Sequence, residues 1–247
     1  MSPKDGALEN PRFGEMYTAE LKSLADEGTL GSNQGSELNQ KLHALYRAST
    51  WCLAMETGHR ACQILIEADR TSNDLKSLAQ GKISCDFNLV VREYRHFPVE
   101  LEFRGFIHKR KLTALTQYNE FCFFPQVKQK QKEIADQIQK EFSKMLQAIP
   151  LESFVVDFVL ATAQESKTAD ELARNRRFQL PLNDYKVWII ELNPLAEFAG
   201  AGLFDWLKDK PVLLGRKDFE FRCHSKLPDK NLVLANMTPS WKKKMGL

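Results

Sequence analysis

The sequence predicts an α+β protein in which helices come first and a sheet follows. Residues 37–79 carry their apolar side chains at helical spacing. Residues 99–118 alternate apolar and polar side chains in the manner of strands, and the segments 153–160 and 186–194 are apolar enough to be buried strands. Helices followed by a run of strands are typical of the α+β class, as opposed to the alternating pattern of α/β proteins.

Composition is that of a soluble protein with a sizeable core. Of the 247 residues, 43% are hydrophobic and 27% charged, and the net charge of +3 is too small to predict direct nucleic-acid binding. No apolar run approaches the ~18 residues of a membrane span, and Met-Ser-Pro-Lys-Asp-Gly is not a signal peptide. We therefore expect a cytoplasmic protein without a membrane partner. The five cysteines lack metal-site spacing and are expected to be reduced thiols, and the five histidines form no metal or triad constellation.

The N-terminal part is predicted to be mainly helical. Glycine and proline punctuate it, and a polar stretch interrupts its last helix. In order, we predict irregular chain over 1–15, a short helix over Met16–Ala25, a loop over Gly31–Ser36, a helix over Glu37–Glu56, and a helix over 59–79 that breaks within Ala68–Leu75.

The strands and the remaining helix follow. An opening proline and a buried apolar stripe mark the helix, and alternation marks the strands. We predict strands over Phe87–Tyr94, Val99–His108, Leu112–Tyr118 and Asp218–His224, a tight turn at Lys109–Lys111, a helix over 125–148, a turn with a short helix over Leu195–Trp206, and a strand or loop over Lys230–Leu247.

The main candidate site lies on the two long apolar strands. Strict alternation would put Val187, Ile189, Glu191 and Asn193 on one face and Trp188, Ile190 and Leu192 on the other. If the two strands pair antiparallel, Asp157 lies beside Glu191 and Asn193. A buried unpaired carboxylate costs about 2–7 kcal/mol or more, and oxygen donors of this kind suit Mg²⁺. The alternative is that Asp157 is an edge-strand charge and that Glu191 and Asn193 belong to a strand end and turn.

Three basic features carry alternatives as well. Arg104 shares a strand face with Glu102, so it either forms a surface ion pair with that residue or grips phosphate oxygens. Lys109–Lys111 is interpreted as a solvated hairpin tip in preference to a nucleic-acid-binding patch. The cluster Arg174–Arg177 is interpreted as a solvated loop, with a partner or phosphate role as the minority hypothesis.

Several short segments together resemble the cell division cycle protein 123 family. In the order and approximate spacing of that family, the chain carries Leu89–Tyr94, Leu101–Phe106, Lys111–Tyr118, Phe154–Asp157, Val187–Pro194, Leu203–Trp206 and Phe221–Cys223. The opening Ser2–Ala7 and the helix Ile64–Leu75 are also similar. The resemblance covers nearly the whole chain, and it implies an ATP-grasp fold.

The resemblance also implies a function. Family members are ATP-binding, chaperone-like assembly factors that engage the gamma subunit of eukaryotic translation initiation factor 2, and we expect a monomer. By the same resemblance, residues 1–90 would be a mainly helical ATP-grasp subdomain, and residues 91–247 would carry the hinge and the metal site. ATP would contact an adenine hinge at Arg92, Glu93 and Tyr94 and a pocket lined by Glu102 and Arg104. Asp157, Glu191 and Asn193 would hold the magnesium.

Two departures from the family pattern affect these expectations. Glu191 stands where family members commonly place Asp, so the metal geometry is expected to differ. The family has a further N-terminal strand before the Ser-Pro-Lys-Asp-like segment, so we expect an incomplete lid, with Lys4 as a remnant of its basic groups, and weaker nucleotide binding. Two alternative functions stay open: an ATP-grasp ligase that forms an acyl phosphate, and a degenerate paralogue that binds no nucleotide.

Overall fold

The computed structural model describes residues 10–26, 34–84, 88, 90–162, 178 and 181–247. Several predictions fall outside these residues: those for the opening segment with Lys4, for Cys85, for Phe87 and for Arg174–Arg177. The other four cysteines are free thiols; Cys52 and Cys122 are buried, as predicted for core thiols, whereas Cys62 is exposed and Cys223 is partly buried.

The chain divides into two compact units. The sheet unit runs over Arg95–Asp229, and the helical unit consists of the described residues up to Tyr94 together with Lys230–Leu247. The boundaries predicted for the ATP-grasp subdomains stay a prediction, since compact packing is not a test of that fold. None of the helices in the described ranges combines the length and apolar character needed to cross a bilayer.

The helical unit is built around a buried helix. Its elements are α1 (Phe13–Asp26), α2 (Gln34–Trp51), α3 (Gly58–Glu67), α4 (Asp69–Ala79), α8 (Lys230–Asn236) and α9 (Pro239–Lys244). Every residue from 42 to 50 is buried, so α2 is the core of this unit. The predicted break between α3 and α4 occurs at Ala68, which has extended backbone angles. Helix α2 begins at Gln34, inside the predicted loop Gly31–Ser36.

Two predictions for this unit were wrong. The described residues of the predicted strand 87–94 form no strand, and Val90 and Val91 are 78% and 83% exposed. Side chains with high strand propensity do not make a strand without a neighbouring edge to pair with. The C-terminal tail is helical because Thr238 caps α9, accepting a hydrogen bond from the Trp241 N–H, and Pro239 occupies the first turn.

The sheet unit contains a five-stranded mixed sheet. Its strands are β1 (Glu102–His108), β2 (Lys111–Gln117), β3 (Phe154–Thr162), β4 (Tyr185–Pro194) and β5 (Glu220–Arg222), in the spatial order β4-β3-β1-β2-β5. Neighbouring strands among β4, β3, β1 and β2 are antiparallel, as considered for β3 with β4 and predicted for the hairpin of β1 and β2, whereas β5 runs parallel to β2. The predicted turn at Lys109 and Arg110 has positive φ angles at both residues, which suits the twist of a two-residue hairpin.

The two faces of the sheet are covered by different parts of the chain. One face packs on α6 (Gln131–Met145), where the Phe142 ring lies 5.0 Å from that of Phe158. The predicted helix 125–148 is divided at Lys130, which separates α5 (Pro125–Gln129) from α6. The opposite face, named the site face because it carries Asp157, is partly covered by residues 195–213, which end in the short helix α7 (Lys210–Leu213). The prediction that Leu195–Trp206 packs back on the sheet is confirmed, but the helical turn inside this range is the 3-10 turn Glu197–Ala199, and α7 lies beyond it.

Candidate functional site

A β-bulge decides which side chains of β4 reach the site face. Asp157 pairs with Glu191, but the next residue of β3, Phe158, pairs with Ile189, so Ile190 is an extra residue in β4. Paired residues share a face, and a bulge of this kind shifts the alternation by one position. Strict alternation was therefore wrong for this strand: Trp188 lies on the site face with Glu191 and Asn193, whereas Val187 and Ile189 lie on the opposite face.

The predicted donors Asp157, Glu191 and Asn193 do come together. Glu191 is the cross-strand partner of Asp157, and the two carboxyl groups are within side-chain hydrogen-bonding reach of each other. The Asn193 side-chain amide donates to Glu191 Oε1 at 3.0 Å. Asp157 is 1% exposed, whereas Glu191 lies at the surface. The antiparallel pairing and the proximity predicted from the two strands are confirmed.

Arg104 holds Asp157 from the other side. Its Nε and Nη2 each donate to one oxygen of the Asp157 carboxyl group at 2.7 Å, and its Nη1 donates to the carbonyl oxygens of Ala199 and Gly200. Arg104 is 2% exposed and Glu102 is 3% exposed, so neither side chain lies at the surface. The alternative of a surface ion pair between them was therefore wrong. Arg104 instead forms a buried bidentate pair with Asp157. The role of Arg104 as a phosphate ligand stays a prediction.

The protonation of Asp157 is unusual for an aspartate. Burial is the largest cause and raises its pKa; the hydrogen bonds and charge of Arg104 oppose this, and Glu191 adds to it, for a net pKa of about 7. Burial is the largest single cause for Arg104 and lowers its pKa, but the hydrogen bonds to Asp157 and the surrounding charges, Asp157 first among them, together outweigh burial and the net shift is upward. The upward pKa shifts of Asp157 and Arg104 have one origin, because the guanidinium stays charged while two neighbouring carboxyl groups compete for a proton.

The donor set fits a divalent cation of the Mg²⁺ type. Two carboxyl groups in contact require a proton or a cation between them, and Glu191 and Asn193 supply further oxygen atoms at a partly exposed edge. The described residues contain no group of three or more His, Cys, Asp and Glu side chains that could hold a metal. A cation here would therefore need additional oxygen ligands, which is how Mg²⁺ is usually bound together with nucleotide phosphates and water.

Asp157 and Arg104 belong to a polar row that crosses all five strands. Each member is the cross-strand partner of the next, and the row is Glu191, Asp157, Arg104, Thr116, Arg222. Three of its members hold the covering segment 195–213: besides Arg104, Thr116 accepts a hydrogen bond from the Leu203 N–H at 3.2 Å, and Arg222 binds the Leu203 carbonyl and Asp209. The polar row therefore fixes the position of Asp157 and Glu191, named here the acidic pair, and of the covering segment beside them.

The remaining predicted contacts are distributed over both units. Glu102 lies on the site face as the cross-strand partner of Val159. Arg92 and Glu93 are exposed, and the Tyr94 hydroxyl donates to the Thr50 carbonyl at 2.8 Å. These three residues belong to the helical unit. Their role as an adenine hinge stays a prediction.

Sequence reasoning named Glu191, Asp157 and Arg104 as site residues, but it missed that Arg104 is the partner of Asp157, and it missed the other two members of the polar row, Thr116 and Arg222. A signal was available for the partner: Asp157 and Arg104 are opposite charges inside apolar strands, and buried charges are normally paired. For Thr116 and Arg222 no comparable signal exists, because their role depends on the parallel pairing of β5 with β2.

Two solved structures are similar to this chain. The structure of Cdc123 from Schizosaccharomyces pombe aligns with a TM-score of 0.47 and 16% identity, covering 71% of this chain and 66% of that one. Its C-terminally truncated form aligns with a TM-score of 0.48 and 20% identity, covering 71% and 63%.

Curated relatives are similar in sequence over part of their length. A translation initiation factor eIF2 assembly protein of Emericella nidulans is 30% identical over 125 residues, covering 49% of this chain and 25% of the relative. The protein of the same name from Vanderwaltozyma polyspora is 26% identical, covering 61% and 37%. A putative CDC123-like protein of Acanthamoeba polyphaga mimivirus is 28% identical, covering 51% and 35%. The chain thus spans a quarter to just over a third of the length of these relatives.

The family assignment comes from a match that covers most of the chain. The family model described as D123 matches residues 57–237, which include the sheet and the residues of the acidic pair. The chain therefore belongs to the D123 family, and the resemblance to the cell division cycle protein 123 family is confirmed.

Proposed function

We propose that this protein is an ATP-binding, chaperone-like factor that assists the assembly of eukaryotic translation initiation factor 2 by binding its gamma subunit. Membership of the D123 family supports this, as do two relatives named as assembly proteins of that factor. The whole relatives are longer than this chain, so their role is extended to it as a proposal.

The nucleotide part of the proposal rests on one observation. Asp157 and Glu191 are cross-strand partners on one sheet face, with Asn193 bound to Glu191 and the guanidinium of Arg104 behind Asp157. Such a set of oxygen donors suits a magnesium ion that also binds nucleotide phosphates. We propose that the sheet unit is the nucleotide-binding part of an ATP-grasp fold.

The roles of the individual residues follow from their contacts. Arg104 positions Asp157, because a bidentate pair fixes both the rotation and the direction of the carboxyl group. Asn193 orients Glu191 through a single hydrogen bond. A bound magnesium ion would supply neutralisation of phosphate charge. These contacts hold the two carboxyl groups of the acidic pair in the positions in which they would bind the magnesium ion.

Titration of ATP with and without Mg²⁺, followed by calorimetry, tests the nucleotide site. The informative variant is Glu191→Gln, which keeps the size of an exposed side chain and removes its charge. We expect it to weaken Mg²⁺-dependent ATP binding about tenfold or more. Asp209→Asn is the matched control, because Asp209 is also an arginine-bound carboxylate but lies at the other end of the polar row.

The two parts of the proposal give separable outcomes. Equal ATP affinity for wild type and Glu191→Gln would contradict the site, and absence of binding by the wild type would favour the degenerate paralogue. Co-purification of the chain with the gamma subunit at low ionic strength tests the partner. If the wild type binds ATP but forms no complex with the gamma subunit, the assembly role is contradicted and the ligase alternative is reopened.

A further inference from the structure

A groove lies at the end of the sheet that is farther from the acidic pair. It is formed between β5 and the helices α5 and α6, and its volume is about 540 Å³. The Phe221 ring packs 5.5 Å from the ring of the buried Phe103. Neighbouring residues of a strand point to opposite faces, so both rings lie on the face opposite to Arg104 and Arg222. The groove is therefore separate from the candidate nucleotide site.

The strand β5 forms one edge of the sheet. In the described part of the chain it pairs with β2 alone, and an edge strand presents main-chain N–H and C=O groups on its outer side. The Phe221 carbonyl accepts a hydrogen bond from the Gln131 side-chain amide at 2.6 Å. The oxygen of the same amide accepts a hydrogen bond from Lys128 Nζ at 2.8 Å. Gln131 therefore binds β5 as a peptide group of a further strand would.

The groove offers apolar surface beside this edge. Phe219 and Phe221 line it and are both partly exposed, and Ala135 lines it from α6 with a small side chain. Partly exposed aromatic rings beside a free strand edge are suited to an extended peptide, whose main chain pairs with the edge while alternate side chains enter the groove.

The charge of the groove is positive at Lys128. Lys132 and Asp136 also line the groove, but they form an ion pair at 2.7 Å and so offset each other. Lys128 is exposed and is bound to the neutral Gln131, and it forms no ion pair with any described residue. Burial raises the pKa of the Cys223 thiol and Lys128 lowers it, so the ammonium group lies near the end of β5. A carboxylate is the group that complements this charge.

We propose that the groove binds an extended, acidic segment of a partner protein, which adds a strand to the outer edge of β5. The main chain of the segment takes the position on the Phe221 carbonyl that Gln131 occupies. An apolar side chain of the segment covers the two phenylalanines, and a carboxylate two positions along binds Lys128, since alternate side chains of a strand share a face. This partner site does not depend on nucleotide binding.

Fluorescence anisotropy with labelled synthetic peptides tests the proposal. In the probe peptide, valine and glutamate alternate at the odd positions and threonine fills the even positions, so one face carries both apolar and acidic side chains. A second peptide has lysine in place of glutamate. A third is the probe N-methylated throughout, which removes every main-chain N–H. The variant is Lys128→Glu, and Lys140→Glu is the matched control, because Lys140 is an exposed lysine of α6 outside the groove.

We expect the wild type to bind the glutamate peptide about fivefold more tightly than the lysine peptide, because an exposed charge pair contributes modestly. Lys128→Glu should reverse this preference, and Lys140→Glu should keep it. The N-methylated probe should bind at least about tenfold more weakly than the glutamate peptide, since it cannot donate to the edge of β5. Hydrogen exchange gives a second readout: the glutamate peptide should slow amide exchange in residues 219–223 and not in β4.

Four results would overturn the proposal. Equal binding of the glutamate and lysine peptides by the wild type, a comparison that needs no variant, would contradict an acidic partner, as would an unchanged preference in Lys128→Glu. Undiminished binding of the N-methylated probe would exclude an added strand. Absence of glutamate-peptide binding by the wild type would remove the groove as a partner site. Tighter binding of a labelled oligothymidine, lost in Lys128→Glu, would assign the groove to nucleic acid instead.

Discussion

Two arginines of the polar row are bound by carboxylates in the same way but in different surroundings. Arg104 holds Asp157 through two contacts of 2.7 Å, and the two side chains are 3% and 1% exposed. Arg222 holds Asp209 through contacts of 2.6 and 2.8 Å, and these side chains are 29% and 18% exposed. The hydrogen-bond geometry is therefore nearly equal, and burial is what differs.

The proton affinity of the two aspartates differs in direction. For Asp157, burial and the neighbouring Glu191 outweigh Arg104, and the pKa rises to about 7. For Asp209, the hydrogen bonds from Arg222 are the largest cause and the pKa falls below its usual value. The comparison teaches that an arginine partner alone does not keep a carboxyl group acidic. A buried carboxyl beside a second one needs a proton or a cation as well, which is why the Asp157 pair is the candidate site and the Asp209 pair is a structural contact.

The two pairs should differ most in how much the free energy of unfolding falls when the arginine of each pair is replaced. Arg104→Leu leaves a buried carboxyl group without its partner and should lower the free energy of unfolding by about 3–5 kcal/mol. Arg222→Leu breaks a partly exposed pair and should lower it by about 1 kcal/mol or less. Chemical denaturation measures both values.

A double variant provides the control for the larger effect. Replacing both Arg104 and Asp157 by Leu removes the pair as a unit and should restore part of the lost stability, because the penalty arises from the unpaired charge. Similar losses for Arg104→Leu and Arg222→Leu would contradict the view that burial distinguishes the two pairs.

The part of this comparison that the sequence could predict is the position of Asp157 and its strand neighbours. Apolar segments around Asp157 and Glu191 were long enough to identify both strands, and antiparallel pairing was the condition under which the two acids would meet, which the structure fulfils. The pairing of Arg104 with Asp157 was harder to predict, because Glu102 shares a strand face with Arg104 and is closer to it in sequence.

The bulge at Ile190 could not be predicted from alternation. Every residue of Val187–Leu192 other than Glu191 is apolar, so the pattern fits either register equally well. The register depends on which residues the neighbouring strand and the covering segment accept, and this is a tertiary effect. The bulge put Trp188 on the site face in place of Val187 and Ile189. It thereby placed an aromatic side chain beside the acidic pair.

The pH dependence of stability should differ in sign between the two aspartates. A carboxyl group whose pKa is raised in the folded state binds its proton more tightly there than in the unfolded state. Its contribution to stability is complete below the usual aspartate pKa of 3.8 and is lost as the pH rises through about 7. Asp209, with its lowered pKa, contributes stability above the usual value and loses it as the pH falls below that value.

Denaturation of wild type, Asp157→Asn and Asp209→Asn between pH 3 and pH 8 measures these contributions. From pH 5 to pH 8 the free energy of unfolding should fall more in the wild type than in Asp157→Asn. Below pH 4 the wild type should lose more than Asp209→Asn. We expect the first effect to be smaller than the loss of Arg104, because the pair with Arg104 persists when Asp157 ionises. A parallel course of wild type and Asp157→Asn above pH 5 would contradict a raised pKa.

The last prediction concerns the loop that lies between the two arginines. Arg104 binds the Gly200 carbonyl and Arg222 binds the Leu203 carbonyl, and Gly202 between them has a φ of +59°. A Cβ atom at Gly202 would lie 2.6 Å from Cγ2 of Thr116 in the same polar row. Gly202→Ala should therefore lower the free energy of unfolding by about 2 kcal/mol, from backbone strain and from displacement of the loop.

Gly81→Ala is the matched control, because Gly81 has a φ of +66° but nothing within 4 Å of its Cβ position. It should lose only the cost of the backbone conformation, about 1 kcal/mol. The difference between the two variants isolates the contact with Thr116. If that contact also keeps both arginines on the loop, adding Gly202→Ala to Arg222→Leu should cost less than the sum of the two single changes, because residues that share one contact network are not additive. Strict additivity would mean that the loop is held at Thr116 independently of Arg222.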